Sequence, residues 1–191
     1  MGALQSEAVT ASGTLSINGA VHADRILVDG MATMKDAVVC KDSLEVNGRV
    51  SIEKNLSADK VKVDGSLKTR GDVQCETLSV HGGFNIEGLL NAGQVDIKLN
   101  FPCRAHEIGV ERITVKRTKK FRVLEQLTGT FAARLKVNVI EGDFIELEYT
   151  DADTVRGNEV RIGPGCQIRL VEYKHEMIQH PDAKIGSIQQ I

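Results

Sequence analysis

The feature that most constrains the fold of this chain is a glycine that recurs every 17 or 18 residues. The recurring glycines are Gly13, Gly30, Gly48, Gly65 and Gly82. Two apolar residues lie four and two positions before most of these glycines, as Leu44 and Val46 do before Gly48. A short period that contains small alternating apolar segments is typical of a solenoid, in which each period is one turn stacked on the previous turn.

Apolar residues also recur at fixed positions after each glycine. After Gly48 they are Val50, Ile52, Leu56 and Ala58. Within each segment they are two residues apart, which is the period of a strand whose alternate side chains face a core. Turn residues separate the segments. The sequence therefore predicts an all-β fold, a single-stranded β-solenoid with about three short strands per turn of 17–18 residues.

The sixth turn departs from this repeat. Leu99 takes the place of the glycine, and Arg117 follows it one turn later. If the 17-residue spacing continues, Phe101 should stack on Phe84.

The strength of the repeat divides the chain into four parts. We expect a flexible N-terminal tail over residues 1–12 and the β-helix core over residues 13–116. Residues 117–173 are expected to form a less regular β continuation or a cap of the stack. Residues 174–191, which are of mixed polarity, are expected to form a C-terminal tail.

Composition and charge agree with a narrow apolar core. The chain has no Trp and only 4% aromatic residues, so stacked small and branched side chains must fill the interior. The formal net charge of −2 with 26% charged residues indicates an ordinary polar surface, and no nucleic acid is expected as a partner. No apolar run approaches the roughly 20 residues of a membrane span, and no secretory signal is evident. A cytoplasmic location is therefore expected.

The cysteines are predicted to be small buried apolar residues. Cys40 and Cys75 fall in one interior column with Ala58 between them. Stacked turns rise about 4.8 Å each, so the two sulfurs should be roughly 10 Å apart, which is too far for a disulfide. No CxxC spacing indicates a metal site, and we expect neither metal nor cofactor.

A cluster of basic residues follows the regular repeats. Six of them fall within eleven positions, namely Arg112, Lys116, Arg117, Lys119, Lys120 and Arg122. One interpretation is a solvated face or an irregular turn. The other is a contact patch for anionic lipid, an acidic partner or a neighbouring protofilament.

One short segment raises the alternative of an enzyme. The segment 162–168 looks like a single hexapeptide turn of left-handed β-helix acyltransferases, but such enzymes need many of these turns and a basic histidine. No histidine of the chain lies in sequence beside a suitable Ser or Cys nucleophile. We therefore expect a non-enzymatic protein without catalytic residues.

The repeated units resemble those of a known family. Leu44-Glu-Val-Asn-Gly48, Val61-Lys-Val-Asp-Gly65 and Leu78-Ser-Val-His-Gly82, with the segment 71–76 (Gly-Asp-Val-Gln-Cys-Glu), look like the bactofilins, the polymer-forming cytoskeletal proteins of bacteria. The resemblance covers roughly residues 13–116, and the segment around Val155–Cys166 is similar to the longer C-terminal part of bactofilin-like proteins.

The resemblance implies a right-handed, triangular β-helix that polymerises without nucleotide. Its filaments would join head to head and tail to tail, as a homopolymer or with a second bactofilin, and would position client proteins of the envelope or motility machinery. Filaments or foci near the inner face of the cell membrane are expected. The first twelve residues lack the bulky apolar and basic residues of the family's membrane-targeting peptide, so membrane association should be indirect or weak.

The two ends of the stack are the predicted polymerisation interface, because an uncapped solenoid end exposes strand edges and a section of the core. At one end we expect Leu15 and Ile17, and at the other Ile168, Leu170 and Tyr173. The remaining alternative is a monomeric adaptor whose tails cap both ends.

Overall fold

The chain folds into a single stack of β-coils. The structure, a computed structural model, describes residues 3–118 and 133–191. These residues contain no helix and form about 10 turns of a β-solenoid, which confirms the predicted fold class. The strands all belong to one parallel sheet. They are β1 (Leu4–Ala11), β2 (Thr14–Ile17), β3 (Val21–Val28), β4 (Met31–Met34), β5 (Val38–Val46), β6 (Arg49–Ile52), β7 (Leu56–Val63), β8 (Ser66–Thr69), β9 (Val73–Val80), β10 (Gly83–Leu99), β11 (Cys103–Arg117), β12 (Leu135–Leu147), β13 (Thr150–Ile162), β14 (Gln167–Gln179) and β15 (Lys184–Gln190).

Each of the early turns has three short faces. In the second turn, β3 forms two of the three faces. The two faces meet between Ala23 and Arg25, where the register of its pairing with β5 shifts, and β4 forms the third face. Each face buries a pair of residues two apart, for example Ile26 and Val28. The period-2 pattern therefore gives the predicted three segments per turn.

The core consists of columns of like side chains. One column runs through every turn, and its members are Ala11, Val28, Val46, Val63, Val80, Ile97, Val115, Leu147, Ile162 and Gln179. All of them except Gln179 are buried. Because parallel strands lie about 4.8 Å apart, ten turns make a rod about 50 Å long.

The recurring glycines stand where the backbones of successive turns approach most closely. A Cβ added at Gly48 would lie 1.8 Å from the carbonyl oxygen of Gly30, and one added at Gly65 would lie 1.9 Å from that of Gly48. The same carbonyl of Gly30 accepts a hydrogen bond of 2.8 Å from the backbone N–H of Arg49. The glycine is therefore required by contact between turns, since any side chain would push adjacent turns apart.

The sixth turn is wider than the repeat predicts. Phe84 pairs with Cys103, so the prediction that Phe101 stacks on Phe84 is wrong. Leu99 is fully buried in the glycine column, and the chain makes a longer corner before the next strand begins. Phe101 lies in that corner with 55% of its surface exposed. The side chain of Asn100 closes the corner by donating to the carbonyl of His81 over 2.8 Å.

The expected tails are part of the stack. Residues 4–11 form β1, which pairs along its length with β3, so the prediction of a flexible tail over residues 1–12 is wrong for this segment. Residues 174–179 complete β14, and residues 184–190 form β15 on top of it. The prediction of a C-terminal tail over residues 174–191 is therefore also wrong.

The region after residue 117 continues the solenoid. β12 pairs with β11, β13 with β12 and β14 with β13, all in parallel. Register partners are 32 residues apart between β11 and β12, as for Ile108 with Ile140, but 15 apart between β12 and β13 and 16 or 17 apart between β13 and β14. The number of residues per turn therefore changes from one turn to the next, which explains why the sequence repeat blurs although the stack persists.

We predict that Gly48→Ala destabilises the fold by about 2 kcal/mol or more, because the added methyl overlaps a backbone oxygen that cannot move freely. Gly109→Ala is the matched control, since its new Cβ would have its nearest neighbour at 3.8 Å. Urea unfolding monitored by circular dichroism checks both variants. Equal stability of the two variants would contradict the role assigned to close contact.

A second prediction concerns Thr69, which lies fully buried between Ile52 and Ile86. Its hydroxyl has no hydrogen-bond partner among the residues that the structure describes. Thr69→Val should stabilise the fold by about 1 kcal/mol, because it removes an unsatisfied buried hydroxyl. Thr150→Val is the opposite case, since the Thr150 hydroxyl lies 3.1 Å from the carbonyl oxygen of Glu148. We expect Thr150→Val to lower the melting temperature and Thr69→Val to raise it.

Candidate functional site

The N-terminal end of the stack is an open apolar surface. β1 pairs only with β3 and β2 only with β4, so the outer edges of both strands have no partner within the described chain. Leu15 and Ile17 lie on β2 and are partly buried against the core. They line an open depression together with Leu4 and Val9 of β1. The structure thus places both residues predicted for this end in the first turn.

The C-terminal end lies one turn beyond the predicted residues. Ile168, Leu170 and Tyr173 belong to β14, and β15 covers them through the register pairs Ile168 with Ile185 and Leu170 with Ser187, while Gln190 stacks on Tyr173. The prediction that they occupy the last turn is therefore wrong, because residues expected to form a tail supply one more strand.

The exposed apolar residues at this end are instead Ile188 and Ile191, which are 47% and 52% exposed. Ile185 lies beside them and is partly buried.

Sequence reasoning missed β1 and β15 although a signal was present. Leu4 and Val9 lie one 17-residue period before Val21 and Ile26. In the structure, Leu4 stacks on Val21 and Val9 stacks on Ile26. Ile188 follows Val171 by the same period. β1 precedes Gly13 with the same spacing as β3 precedes Gly30, and β15 lies beyond the glycine series, so extending the apolar columns by one period at each end would have found both strands.

The basic residues of the cluster that the structure describes contact side chains of the next turn. The guanidinium of Arg112 lies 4.2 Å from the centroid of the Phe144 ring, and Nζ of Lys116 lies 3.2 Å from Oε1 of Glu146. Cation–π contacts of this kind contribute about 0.5–1 kcal/mol at exposed sites.

Arg117 makes a similar contact. Its guanidinium lies 4.4 Å from the centroid of the Tyr149 ring, and its backbone N–H donates to Oε2 of Glu148 over 3.0 Å. Lys119, Lys120 and Arg122 lie outside the described residues. The three described basic residues therefore link β11 to the following turn.

The hexapeptide-like segment forms a tight corner. Gly165 adopts a φ of 72°, in the left-handed region that favours glycine, and packs against the ring of Tyr149. Arg134 holds the corner in place, since its guanidinium donates to the carbonyl of Gly165 over 2.7 Å and binds the carboxylate of Asp151 with two hydrogen bonds. The segment thus has a structural role in joining β13 to β14.

The described residues contain no cluster of three or more His, Cys, Asp or Glu side chains that could hold a metal ion. Across the same ranges we find no helical segment with the length and hydropathy needed to cross a bilayer.

The four cysteines are buried and unbonded, as predicted. Burial raises the pKa of Cys40, Cys75 and Cys103 to about 12, and that of Cys166 to about 11. These thiols are therefore almost entirely protonated at neutral pH, and they serve as small core side chains rather than as nucleophiles.

Two proteins of Bacillus subtilis strain 168 are similar to this chain. Uncharacterized protein YhbE is 46% identical over 101 residues, which are 52% of this chain and 42% of that protein. Uncharacterized protein YhbF is 40% identical over 99 residues, which are 51% of this chain and 40% of that protein. The chain thus matches less than half of the length of each relative. No protein family model and no solved structure matches it.

We predict that the thiols of the folded protein react slowly with iodoacetamide. At pH 8 a thiol with a pKa of 9.0 is about one-tenth ionised, whereas a pKa of about 12 leaves about one molecule in ten thousand as thiolate. The native protein should therefore react at least 100-fold more slowly than the protein in urea. Because the folded-state pKa is raised, the free energy of unfolding should also fall as the pH rises from about 9 to 12. Equal labelling rates with and without urea would contradict thiol burial.

Proposed function

We propose that this chain is a non-enzymatic scaffold that assembles end to end without nucleotide and positions other proteins. The observation that carries the proposal is the open first turn, where the outer edges of β1 and β2 have no partner among residues 3–118 and 133–191 and lie around a section of the apolar core. Strand edges of this kind template pairing with another chain unless charges, prolines or a covering segment protect them.

The first turn has almost none of these protections. Glu7 is the only charged residue between residues 3 and 20, and this segment has no proline. The exposed fraction of Leu4 is 37%, and Leu15 and Ile17 are only partly covered. An edge with a single charged residue that surrounds apolar side chains gains by pairing its backbone groups and burying those side chains. Such a contact requires neither a nucleotide nor a metal.

The stack can transmit such contacts as a stiff rod. The two apolar columns that begin at Leu4 and Val9 run without interruption from β1 to β14, and surface ion pairs cross the turns. Nζ of Lys54 lies 2.8 Å from Oδ1 of Asp36, and Nη1 of Arg70 lies 2.6 Å from Oε2 of Glu53. Each exposed pair contributes at most about 1 kcal/mol. The core therefore provides the stiffness, while the polar lateral faces offer a regular surface for clients.

The cellular role follows from the resemblance to bactofilins. We place the polymer in the cytoplasm near the inner face of the membrane, where it positions proteins of the envelope or motility machinery. Association with the membrane itself is indirect or weak. The polymer contains this chain, alone or with a second bactofilin.

The test is assembly of the purified protein without nucleotide. We expect filaments or end-to-end oligomers in electron micrographs and in sedimentation velocity. Leu15→Arg should raise the concentration needed for assembly at least tenfold, because it places a charge in the apolar end. Ser16→Arg is the matched control, since Ser16 is the exposed neighbour between Leu15 and Ile17 on β2. A strictly monomeric wild type across concentration and salt would overturn the proposal in favour of a monomeric adaptor.

A further inference from the structure

We propose that a basic groove on one lateral face of the solenoid binds an extended acidic segment of a partner protein. The groove lies on the face that β4 forms in the second turn, and it crosses the first residues of β10 to β15 in the later turns. The proposal deepens the proposed function and rests on it only in making the partner a client of the scaffold.

The groove runs between two ladders of side chains that point away from the core. One ladder consists of the register partners Arg104, Lys136, Asp151, Gln167 and Lys184. The other lies two residues further along the strands and contains His106, Asn138, Asp153 and Arg169. The residue between the ladders, such as Ala152, is buried, so the floor of the groove is mainly backbone.

The dimensions of the groove suit a chain rather than a compact ligand. It crosses six strands that lie about 4.8 Å apart, which makes it about 24 Å long. Its volume is about 1280 Å³, and it is open to solvent along its length. Pockets for small molecules typically have volumes of about 300–1,000 Å³ and enclose most of the ligand.

Two basic side chains in the groove lie opposite each other on adjacent strands. Arg104 is the register partner of Lys136, so their backbones are about 4.8 Å apart. Like charges directly opposite each other destabilise a sheet. Neither side chain has an ion pair with any residue of the ranges 3–118 and 133–191. The fold therefore keeps two adjacent positive charges that it does not neutralise itself.

The carboxylate best placed to neutralise Lys136 is already bound. Asp151 stacks on Lys136 from the other side. The guanidinium of Arg134 binds both oxygens of Asp151, through Nε over 2.9 Å and through Nη2. Arg134 is fixed in turn by the carbonyl of Gly165, to which it donates over 2.7 Å. The charge of Lys136 is thus left for a partner outside the chain.

The acidic residue at the lower end of the groove is also paired. Oε1 of Glu87 lies 3.3 Å from Nζ of Lys68. Of the three carboxylates that line the groove, Asp153 alone has no ion pair within the described chain. The groove is therefore positive, although the formal net charge of the whole chain is −2. This local charge favours an acidic partner.

The positions of the basic residues fit an extended peptide. Arg104 and Lys184 are four strands apart, which is about 19 Å along the rod. An extended chain advances about 3.3 Å per residue, so about six residues cover this distance with alternate side chains on one side. Acidic side chains at alternate positions can therefore reach the basic groups. The amides of Asn138 and Gln167 can donate to and accept from the peptide backbone.

Two features favour a peptide over a polyanion such as a nucleic acid. The described residues that line the groove include no aromatic ring on which a base could stack, and stacking is how proteins usually hold single strands. Asp153 lies in the middle of the groove, where it would face an unbroken row of phosphates. A peptide can place an uncharged residue at that point and acidic residues on either side of it.

The test measures the binding of labelled probes to the full chain by fluorescence anisotropy. The probes are a heptapeptide of alternating threonine and glutamate, the same peptide with glutamine in place of glutamate, and an oligonucleotide of seven deoxythymidines. We expect the glutamate peptide to bind at least tenfold more tightly than the other two probes. Arg104→Gln/Lys136→Gln should weaken its binding at least tenfold, because the double variant removes the two adjacent charges.

The matched control is Lys35→Gln/Arg49→Gln, which removes the same charge from two exposed residues of earlier turns that lie outside the groove. This control should change the affinity less than twofold. Thermal unfolding provides a second measurement. Arg104→Gln should raise the melting temperature, because it relieves the repulsion of Lys136, and a lower melting temperature would contradict the argument from like charges.

The outcomes separate this proposal from the proposed function. Leu15→Arg should impair assembly and keep the affinity for the glutamate peptide, whereas the groove variant should assemble as the wild type does. The groove proposal is overturned if the glutamate peptide does not bind, binds no more tightly than the glutamine peptide, or is weakened equally by both double variants. Tighter binding of the oligonucleotide would overturn it in favour of a nucleic acid. A wild type that stays monomeric but binds the glutamate peptide through the groove would overturn the scaffold and leave the groove as the site of an adaptor.

Discussion

The close stacking of one backbone turn on the next is the constraint on which the rest of this structure depends. At the glycine corners the approach leaves no space for a Cβ, since one added at Gly30 would lie 2.0 Å from the carbonyl oxygen of Gly13. This contact keeps the turns in register, and the register in turn aligns side chains of one kind into columns. Where Leu99 replaces the glycine, the following corner lengthens and the period of the sequence changes.

In a stack held together in this way, the backbone groups that can pair with another chain lie at the ends. In the middle of the rod, each strand has backbone partners on both sides, and the exposed ion pairs on the lateral faces contribute little energy. At the ends, one edge of the strand is left without a partner. Leu4, Leu15 and Ile17 lie at such an edge in the first turn, and Ile185 and Ile188 lie at one on β15.

Much of the core could be read from the sequence because the period is short and each column repeats one class of side chain. Val46, Val63 and Val80 were assigned to one column, and the structure stacks them as expected. Predictions from the sequence were wrong where the number of residues per turn changed without a local signal. The longer corner that exposes Phe101 follows the buried Leu99. The two end strands were missed because the apolar columns were not extended to the period before Gly13 or to the one after Val171. The partners of Arg112 and Arg117 are aromatic residues roughly 32 positions later, beyond any local pattern.

The sequence by itself determined that this chain forms a β-solenoid, because a 17-residue period with alternating apolar pairs has few other ways to bury its side chains. It also determined which residues fill the early columns. Only the tertiary structure decided that β1 and β15 belong to the stack and which side chains lie on these outer strands. The physical reason is that an end is defined by the absence of a neighbouring strand, and this depends on the whole register rather than on any single repeat.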